Sequence, residues 1–136
     1  MDSSSIVKLY INEPGSEETA NSFNSADGVA TSLVAYPEVR AAFARLLRER
    51  KITRRLLQRL VQDFDAGWQG FYAVAVTESI VRTAGLLAER HALTGFDAIH
   101  LASALALRDR QIDNVDLSTG DERLKSGAIA EGFVVV

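Results

Sequence analysis

Four carboxylates lie where extended apolar runs give way to helices along this chain, at Asp2, Glu38, Asp97 and Asp121. Carboxylate oxygens are the ligands that hard divalent cations prefer, and the chain has no cysteine and only 2 histidines. These residues therefore favour Mg²⁺ or Mn²⁺ over Zn²⁺. Such an ion can activate a water molecule and neutralise a phosphate during in-line displacement, and two ions can share these roles. Without metal, a cluster of acids would repel a phosphodiester, so we expect activity that depends on added divalent ion.

Helix capping is an alternative explanation for three of these residues. Asp2 can cap the first helix. Asp97 follows Thr94 by three positions and Asp121 follows Ser118 by three, which is the capping-box spacing that satisfies free N–H groups at a helix start. On this pattern, capping and metal binding both stay open for each of the three aspartates.

Glu38 is harder to explain by capping. It shares a helical row with Val34 and Ala42, on the side predicted to face the core. A carboxylate in that position is costly unless it is paired or bound to a metal. The alternative to a metal is an ion pair, with Lys8 as the candidate partner. His100, by contrast, is more typical of a packed, hydrogen-bonded histidine than of a metal ligand.

A basic stretch lies within this otherwise acidic protein. The net charge of −3 argues against nonspecific binding to nucleic acid, yet eight of the 15 basic residues fall between positions 40 and 59. This distribution is expected where phosphates are held beside an acidic centre, and a solvated helix face is the alternative. The eight residues are Arg40, Arg45, Arg48, Arg50, Lys51, Arg54, Arg55 and Arg59.

Length and composition indicate one globular domain over residues 1–136. No repeat, low-complexity tract or linker divides the chain. No apolar stretch approaches the roughly 18 residues of a membrane helix, and no signal-peptide pattern opens the sequence. We therefore expect a cytoplasmic protein without a membrane partner.

Short extended runs alternate with amphipathic helices. This alternation predicts a parallel sheet covered by helices on both faces, with ligands bound beyond the carboxyl ends of the strands. Pro37 lies in the third predicted helix, so that helix either begins near residue 33 or later, or bends there. We predict strands at 28–32, 71–76, 114–118 and 133–136, and helices at 4–12, 16–25, 33–49, 52–68, 77–91 and 94–110.

Six segments, taken in order, match the pattern of a known family over nearly the whole chain. The most specific is Gly-Phe-Asp-Ala-Ile-His-Leu-Ala-Ser-Ala-Leu at 95–105. The others are Asp-Ser-Ser-Ser-Ile-Val-Lys-Leu-Tyr at 2–10, Glu-Pro-Gly-Ser at 13–16, the glutamate-bearing segment at 32–42, Leu-Ser-Thr-Gly-Asp-Glu-Arg-Leu at 117–124 and Gly-Phe-Val-Val at 132–135. Together they resemble the PIN-domain ribonucleases, and most closely the VapC-type toxins of bacterial toxin–antitoxin pairs.

The resemblance implies a PIN-like three-layer α/β/α sandwich with a mainly parallel central sheet. It also implies a metal-dependent endoribonuclease that cleaves RNA of the tRNA or rRNA class, forms a homodimer and is blocked by a cognate antitoxin. Carried over by position, the metal ligands are Asp2, Glu38, Asp97 and Asp121, with Ser4, Thr119 and, outside the ligand set, Asp116 in support. The basic stretch fits both an RNA groove and a surface for an acidic antitoxin segment, with RNA contacts expected from Arg40, Arg45, Arg48, Lys51, Arg54 and Arg55.

The start of the chain departs from the family pattern. Members of the family have several apolar residues before the first aspartate, and these form the central strand, whereas only Met1 precedes Asp2 here. The true start lies upstream, the chain is truncated, or the strand is nearly absent. Because a missing central strand leaves neighbouring edges unpaired, we expect Asp2 to be the least firmly held of the four carboxylates.

Two other functions compete with the nuclease. One is a catalytically impaired PIN-fold module that holds RNA or a protein partner without cutting. The other is a small signalling domain that accepts a phosphoryl group on an aspartate in an acidic Mg²⁺ pocket. Such a signalling domain needs a lysine from the C-terminal part of the chain in its site. Lys125 is the only lysine in that part, and it lies beyond the last acidic motif.

Overall fold

Two short parallel strands form the sheet in the computed structural model, which describes residues 1–110 and 114–136. Strand β1 (Ala30–Ser32) pairs in parallel with β2 (Tyr72–Val74), with Ala30 opposite Tyr72. The strands predicted at 28–32 and 71–76 are therefore confirmed over residues 30–32 and 72–74, and both are shorter than expected.

The last two predicted strands are reduced to a single contact. An isolated parallel bridge joins Leu117 to Val135, and neither 114–118 nor 133–136 forms a longer strand. The Leu117 N–H donates to Val134 O at 2.8 Å and the Val136 N–H donates to Leu117 O at 3.0 Å. These two segments thus lie side by side as a strand pair would, over a shorter length than predicted.

Helices surround the strands, and most of them begin and end close to the predicted positions. The first predicted helix is wrong at its end, because it stops at Lys8 rather than at residue 12. Pro37 is the third residue of its helix, where proline is tolerated, so no bend is needed. No helix in the described ranges is long and apolar enough to cross a membrane. The helices are α1 (Ser3–Lys8), α2 (Ser16–Ser25), α3 (Ala35–Arg48), α4 (Arg54–Gly67), α5 (Glu78–His91), α6 (Gly95–Arg108) and α7 (Glu122–Ala130), with a 3₁₀ turn at Trp68–Gly70.

Short polar side chains fix where these helices start. Thr53, Thr77 and Thr94 precede α4, α5 and α6, and each accepts a hydrogen bond from a backbone N–H in the first turn. Asp2 and Asp121 do the same for α1 and α7. Each bond satisfies an N–H group that the helix itself leaves without a partner. Asp2 and Asp121, together with Thr94 in front of Asp97, are therefore positioned by helix N-termini.

The sheet separates the core into two hydrophobic clusters. Consecutive residues of a strand point to opposite faces, and Val29 and Ala30 accordingly pack into different clusters. One cluster is built from α5, α6 and α7, and the other from α1, α3 and α4. The strands thus lie between two helical layers, and the predicted PIN-like α/β class is confirmed.

Candidate carboxylate site

Asp2 is the most firmly bonded of the four carboxylates. It is 4% exposed, and its carboxylate accepts hydrogen bonds from Ser4 Oγ, the Ser5 N–H and Thr119 Oγ1 at 2.8–2.9 Å. Both carboxylate oxygens are used. The expectation that Asp2 would be the least firmly held is therefore wrong, because its partners come from residues that follow it in the chain and not from a preceding strand.

Thr119 connects Asp2 to Asp121. The Thr119 hydroxyl donates to Asp2 Oδ2 and accepts from the Asp121 N–H at 3.0 Å. Asp121 Oδ1 accepts in turn from the N–H groups of Arg123 and Leu124 at 2.8 and 2.9 Å. We call Asp2, Thr119 and Asp121 the Asp2 unit.

Ser4 and Lys8, four residues apart on α1, pack against the loop before α7. The Gly120 N–H donates to Ser4 Oγ at 2.7 Å. A Cβ at Gly120 would lie 3.1 Å from both Ser4 Oγ and Lys8 Nζ, so any larger residue here would push these two side-chain groups away by a few tenths of an ångström. The Lys8 ammonium is therefore next to the Asp2 unit, a placement that the sequence analysis missed although the i, i+4 spacing with Ser4 pointed to it.

The two expected capping boxes have different outcomes. Thr94 caps α6, and its hydroxyl also contacts the carboxylate of Asp97, with Thr94 Oγ1 donating to Asp97 Oδ2 at 2.5 Å. Ser118 does not cap α7, because Asp121 itself is the cap and Ser118 Oγ instead donates to Ser5 Oγ at 3.1 Å. Capping of α6 by Thr94 is therefore confirmed, with the Asp97 carboxylate bonded to the Thr94 hydroxyl, and the Ser118 box is wrong.

Glu38 pairs with a histidine. Glu38 Oε2 lies 2.7 Å from His100 Nε2, and the side chains are 24% and 4% exposed, respectively. An ionised carboxylate only accepts hydrogen bonds, so His100 donates through Nε2. The alternative of an ion pair with Lys8 is wrong, whereas the packed, hydrogen-bonded state expected for His100 is confirmed. We call Glu38, His100 and Asp97, which precedes His100 by one turn of α6, the Glu38 unit.

The two units border the same cavity without merging into one cluster. Asp2 and His100 both line a cavity of about 700 Å³. In residues 1–110 and 114–136, however, no three acidic or histidine side chains stand close enough together to hold one ion. Asp116 also lines the cavity and is exposed, and no side-chain hydrogen bond joins it to either unit within the described residues.

The donor chemistry of the site fits a hard divalent cation. Glu38 Oε1, Asp97 Oδ1 and Asp121 Oδ2 accept no hydrogen bond from the part of the chain that the structure describes. These are oxygen ligands of the kind that Mg²⁺ and Mn²⁺ take. Sharing one ion would draw the side chains closer together than they stand here.

The basic stretch is partly paired at the surface. Arg40 Nη1 lies 3.3 Å from Asp65 Oδ1, while Arg45 and Lys51 both contact Glu49, at 3.9 and 2.7 Å. Exposed pairs of this kind contribute about 0–1 kcal/mol, so a phosphate could displace them. Within the described residues no ion pair is recorded for the remaining three residues expected to contact RNA, which are Arg48, Arg54 and Arg55.

Two comparisons with known proteins, one with family models and one with individual proteins, agree on the same family. The sequence model of a protein family, described as the PIN domain, matches residues 1–128. Two proteins of Mycobacterium tuberculosis, Ribonuclease VapC45 of strain CDC 1551 / Oshkosh and Ribonuclease VapC49 of strain ATCC 25618 / H37Rv, are each 39% identical to this chain over 131 residues. Each alignment covers 96% of this chain and 89% of its relative.

Proposed function

The chain belongs to the PIN-domain family, and on that premise we propose that it is a metal-dependent endoribonuclease, the toxin of a toxin–antitoxin pair. It would act in the cytoplasm as a single domain over residues 1–136. Its substrate would be RNA of the tRNA or rRNA class, cut by hydrolysis of phosphodiester bonds. The relatives named as ribonucleases and the carboxylate site support this proposal.

The single observation that carries the proposal is the environment of Glu38. Its side chain is 24% exposed, lies in the first turn of α3 directly after β1, and has a histidine rather than a lysine or arginine as its partner. One carboxylate oxygen is bonded to His100, and the other accepts no described hydrogen bond. A mostly buried carboxylate that is oriented but left without a formal cation is a suitable ligand for an added one.

Four carboxylates would hold the ion: Asp2, Glu38, Asp97 and Asp121. When bound, Mg²⁺ or Mn²⁺ would supply an activated water and neutralise charge on the scissile phosphate. The chain contributes orientation. His100 fixes the rotation of the Glu38 carboxylate, and Ser4 and Thr119 fix that of Asp2. The Lys8 ammonium beside the Asp2 unit adds a positive charge close to where a phosphate would approach.

The basic stretch would bind the RNA backbone or an acidic segment of the antitoxin. Arg54 and Arg55 are exposed at the start of α4, and Arg48 lies at the end of α3. Basic side chains at the junction of two helices can follow a phosphate backbone without reading its bases. Formation of a homodimer is proposed from the family resemblance alone.

A catalytically impaired module remains the second candidate, and one observation favours it. Both oxygens of Asp2 already accept hydrogen bonds from the protein, so an ion bound there would share them with Ser4, Ser5 and Thr119. The hypothesis of a signalling domain that accepts a phosphoryl group is not retained, because the chain belongs to a different family.

The proposal is tested with purified RNA, with and without Mn²⁺, on the native chain and two matched variants. Asp97→Asn keeps an oxygen for Thr94 and removes the negative charge at the start of α6. Asp109→Asn makes the same change at the exposed end of that helix. We expect cleavage that requires Mn²⁺ and is lost only in Asp97→Asn, and Mn²⁺ binding measured by electron paramagnetic resonance that weakens in the same variant.

Other results are equally informative. Cleavage by the native chain in the presence of a chelator would contradict metal dependence. RNA binding by all three proteins, with no cleavage at any Mn²⁺ concentration, would establish the binding module instead.

A further inference from the structure

A groove lined by aromatic side chains lies between the first turn of α3 and the end of α4. Its volume is about 600 Å³, within the roughly 300–1,000 Å³ that is typical of small-ligand sites. Tyr36 and Trp68 line it, and their ring centroids are 5.2 Å apart in an edge-to-face arrangement. We call this space the aromatic groove. Its other lining residues are Leu33, Pro37, Asp65 and Gln69.

The aromatic groove is adjacent to the carboxylate site. Pro37 lines the groove and directly precedes Glu38 in the first turn of α3. Ser32 lines the cavity that both carboxylate units border, and the following residue, Leu33, lines the aromatic groove. The junction between β1 and α3 therefore separates the two spaces. An RNA strand with a phosphate at Glu38 has the groove within reach of its neighbouring nucleotides.

Asp65 contributes an oriented carboxylate to the groove. Its Oδ1 atom accepts hydrogen bonds from Tyr36 OH at 2.8 Å and from Arg40 Nη1 at 3.3 Å. Within the described residues, Oδ2 has only a longer contact with the same Nη1 group, at 3.5 Å. An ionised carboxylate only accepts hydrogen bonds, so Oδ2 is available to an N–H group of a ligand.

Arg40 supplies a positive charge beside the groove. Its Nη1 group also donates to Tyr36 OH at 2.9 Å, and its guanidinium carbon is 5.7 Å from the centroid of that ring. In the described ranges Nη2 makes no hydrogen bond, so it can contact a phosphate while Nη1 orients Asp65. Arg40 is also the first residue of the basic stretch. The groove is therefore continuous with the surface proposed to bind the RNA backbone.

These groups match a nucleobase better than an apolar or acidic segment of a protein. A base has a flat face that stacks on aromatic rings and an edge of hydrogen-bonding groups. An apolar segment would cover Leu33, which is 45% exposed, but it would also remove water from the Asp65 carboxylate without supplying a donor. An acidic segment would be repelled by the same carboxylate. Only a base supplies both a stacking face and N–H donors.

We propose that the aromatic groove binds one unpaired base of the RNA, with a preference for guanine, close to the phosphate held at the carboxylate site. The inference rests on the proposed function, because this base belongs to the same RNA strand. The base stacks on Tyr36 or Trp68, and Asp65 accepts hydrogen bonds from the adjacent N1–H and N2–H groups of guanine. The other three bases have an acceptor beside the donor on this edge, which the second carboxylate oxygen repels. Phosphate contacts then position the strand, and this contact selects the base.

Trp68 is the only tryptophan of the chain, so its fluorescence reports directly on the groove. The test titrates the chain with short oligouridine RNA whose central nucleotide is guanosine, adenosine or an abasic site. The titrations use Asp97→Asn in Mg²⁺, which keeps the RNA intact. We expect the guanosine oligomer to quench Trp68 and to bind roughly tenfold more tightly than the abasic oligomer, with adenosine between them.

Variants of the groove are compared by the anisotropy of the same oligomers carrying a fluorescent label. Trp68→Leu should remove most of the advantage of guanosine over the abasic site, and Trp68→Phe should restore it, because phenylalanine still stacks. Asp65→Asn keeps an oxygen for Tyr36 OH and should abolish the preference for guanosine over adenosine. Asp63→Asn, two positions earlier on α4, is the matched control and should keep that preference.

Three outcomes would overturn the inference. Equal affinity for the guanosine and abasic oligomers would show that no base is bound. RNA binding without quenching of Trp68 would show that the strand follows another path and would leave the groove to a protein partner. A guanosine preference that survives Asp65→Asn would refute the role of this carboxylate. Because no readout requires cleavage, a nuclease without base-dependent binding would contradict this inference alone, and base-dependent binding by an inactive native chain would contradict the nuclease alone.

Discussion

Asp2 both caps a helix and belongs to the proposed metal site, and two substitutions separate these roles. Asp2→Ala removes every acceptor that Ser4, Ser5 and Thr119 use. Asp2→Asn keeps an oxygen for the Ser5 N–H and Ser4, and Thr119 can turn its hydroxyl to accept from the new amide. The first variant should therefore lose stability and activity together, and the second should lose mainly activity.

The expected magnitudes follow from these contacts. Loss of an N-cap costs about 1 kcal/mol, and loss of buried hydrogen bonds to a charged acceptor adds about 2 kcal/mol, which gives about 3 kcal/mol for Asp2→Ala. Removing only the charge in Asp2→Asn should cost about 1 kcal/mol. With about 2.1 cal/mol/K of unfolding entropy per residue over 136 residues, 1 kcal/mol shifts Tm by about 3.5 °C. The Tm values should fall by about 10 °C and about 3.5 °C, respectively.

Thermal unfolding and Mn²⁺-dependent RNA cleavage, measured on the same preparations, check this reasoning. Asp63→Asn, at an exposed position of α4, is the control and should leave both quantities unchanged. Cleavage should fall by roughly a hundredfold or more in both Asp2 variants. Equal Tm losses for alanine and asparagine would refute the hydrogen-bond assignment, and full activity of a folded Asp2→Asn would refute the metal-ligand role.

Two further predictions concern acid stability and RNA binding. Hydrogen bonds from His91 and a neighbouring arginine lower the pKa of Glu131 below its unfolded value of about 4.3, so their stabilisation is complete above that pH and is lost as the pH falls through the folded pKa. Tm should therefore fall less between about pH 6 and pH 3 in Glu131→Gln than in the native chain, and parallel curves would contradict this. Replacing Arg54 and Arg55 by serine should reduce the salt slope of single-stranded RNA binding by about 1.4, whereas Arg82→Ser on α5 should leave it unchanged. An unchanged slope in the double variant would exclude contacts of this pair with phosphates.

Helix starts were the most predictable part of the fold, because their signals are local. Thr53, Thr77 and Thr94 each precede an amphipathic run, and each caps the helix that follows. The strands were less predictable, because a strand exists only where a neighbour pairs with it. The segments at 114–118 and 133–136 have strand-like composition, yet only one bridge joins them.

The site shows the same division between local and distant information. Helical periodicity correctly marked Glu38 as anomalous for its position, since the side chain is mostly buried. Its partner His100 lies 62 residues away, and no local pattern distinguishes it from Lys8, which was the expected partner. Likewise, the Ser118 box failed because the backbone before α7 brings Asp121 into the capping position instead.

The placement of Asp2 combines one local contact and one distant contact. Asp2 is positioned by the start of α1 and by Thr119, both of which lie after it in the chain. The Ser5 N–H that it caps is three residues away, whereas Thr119 is 117 residues away. The local helix-start signal therefore predicted the first contact, and no local signal could predict the second.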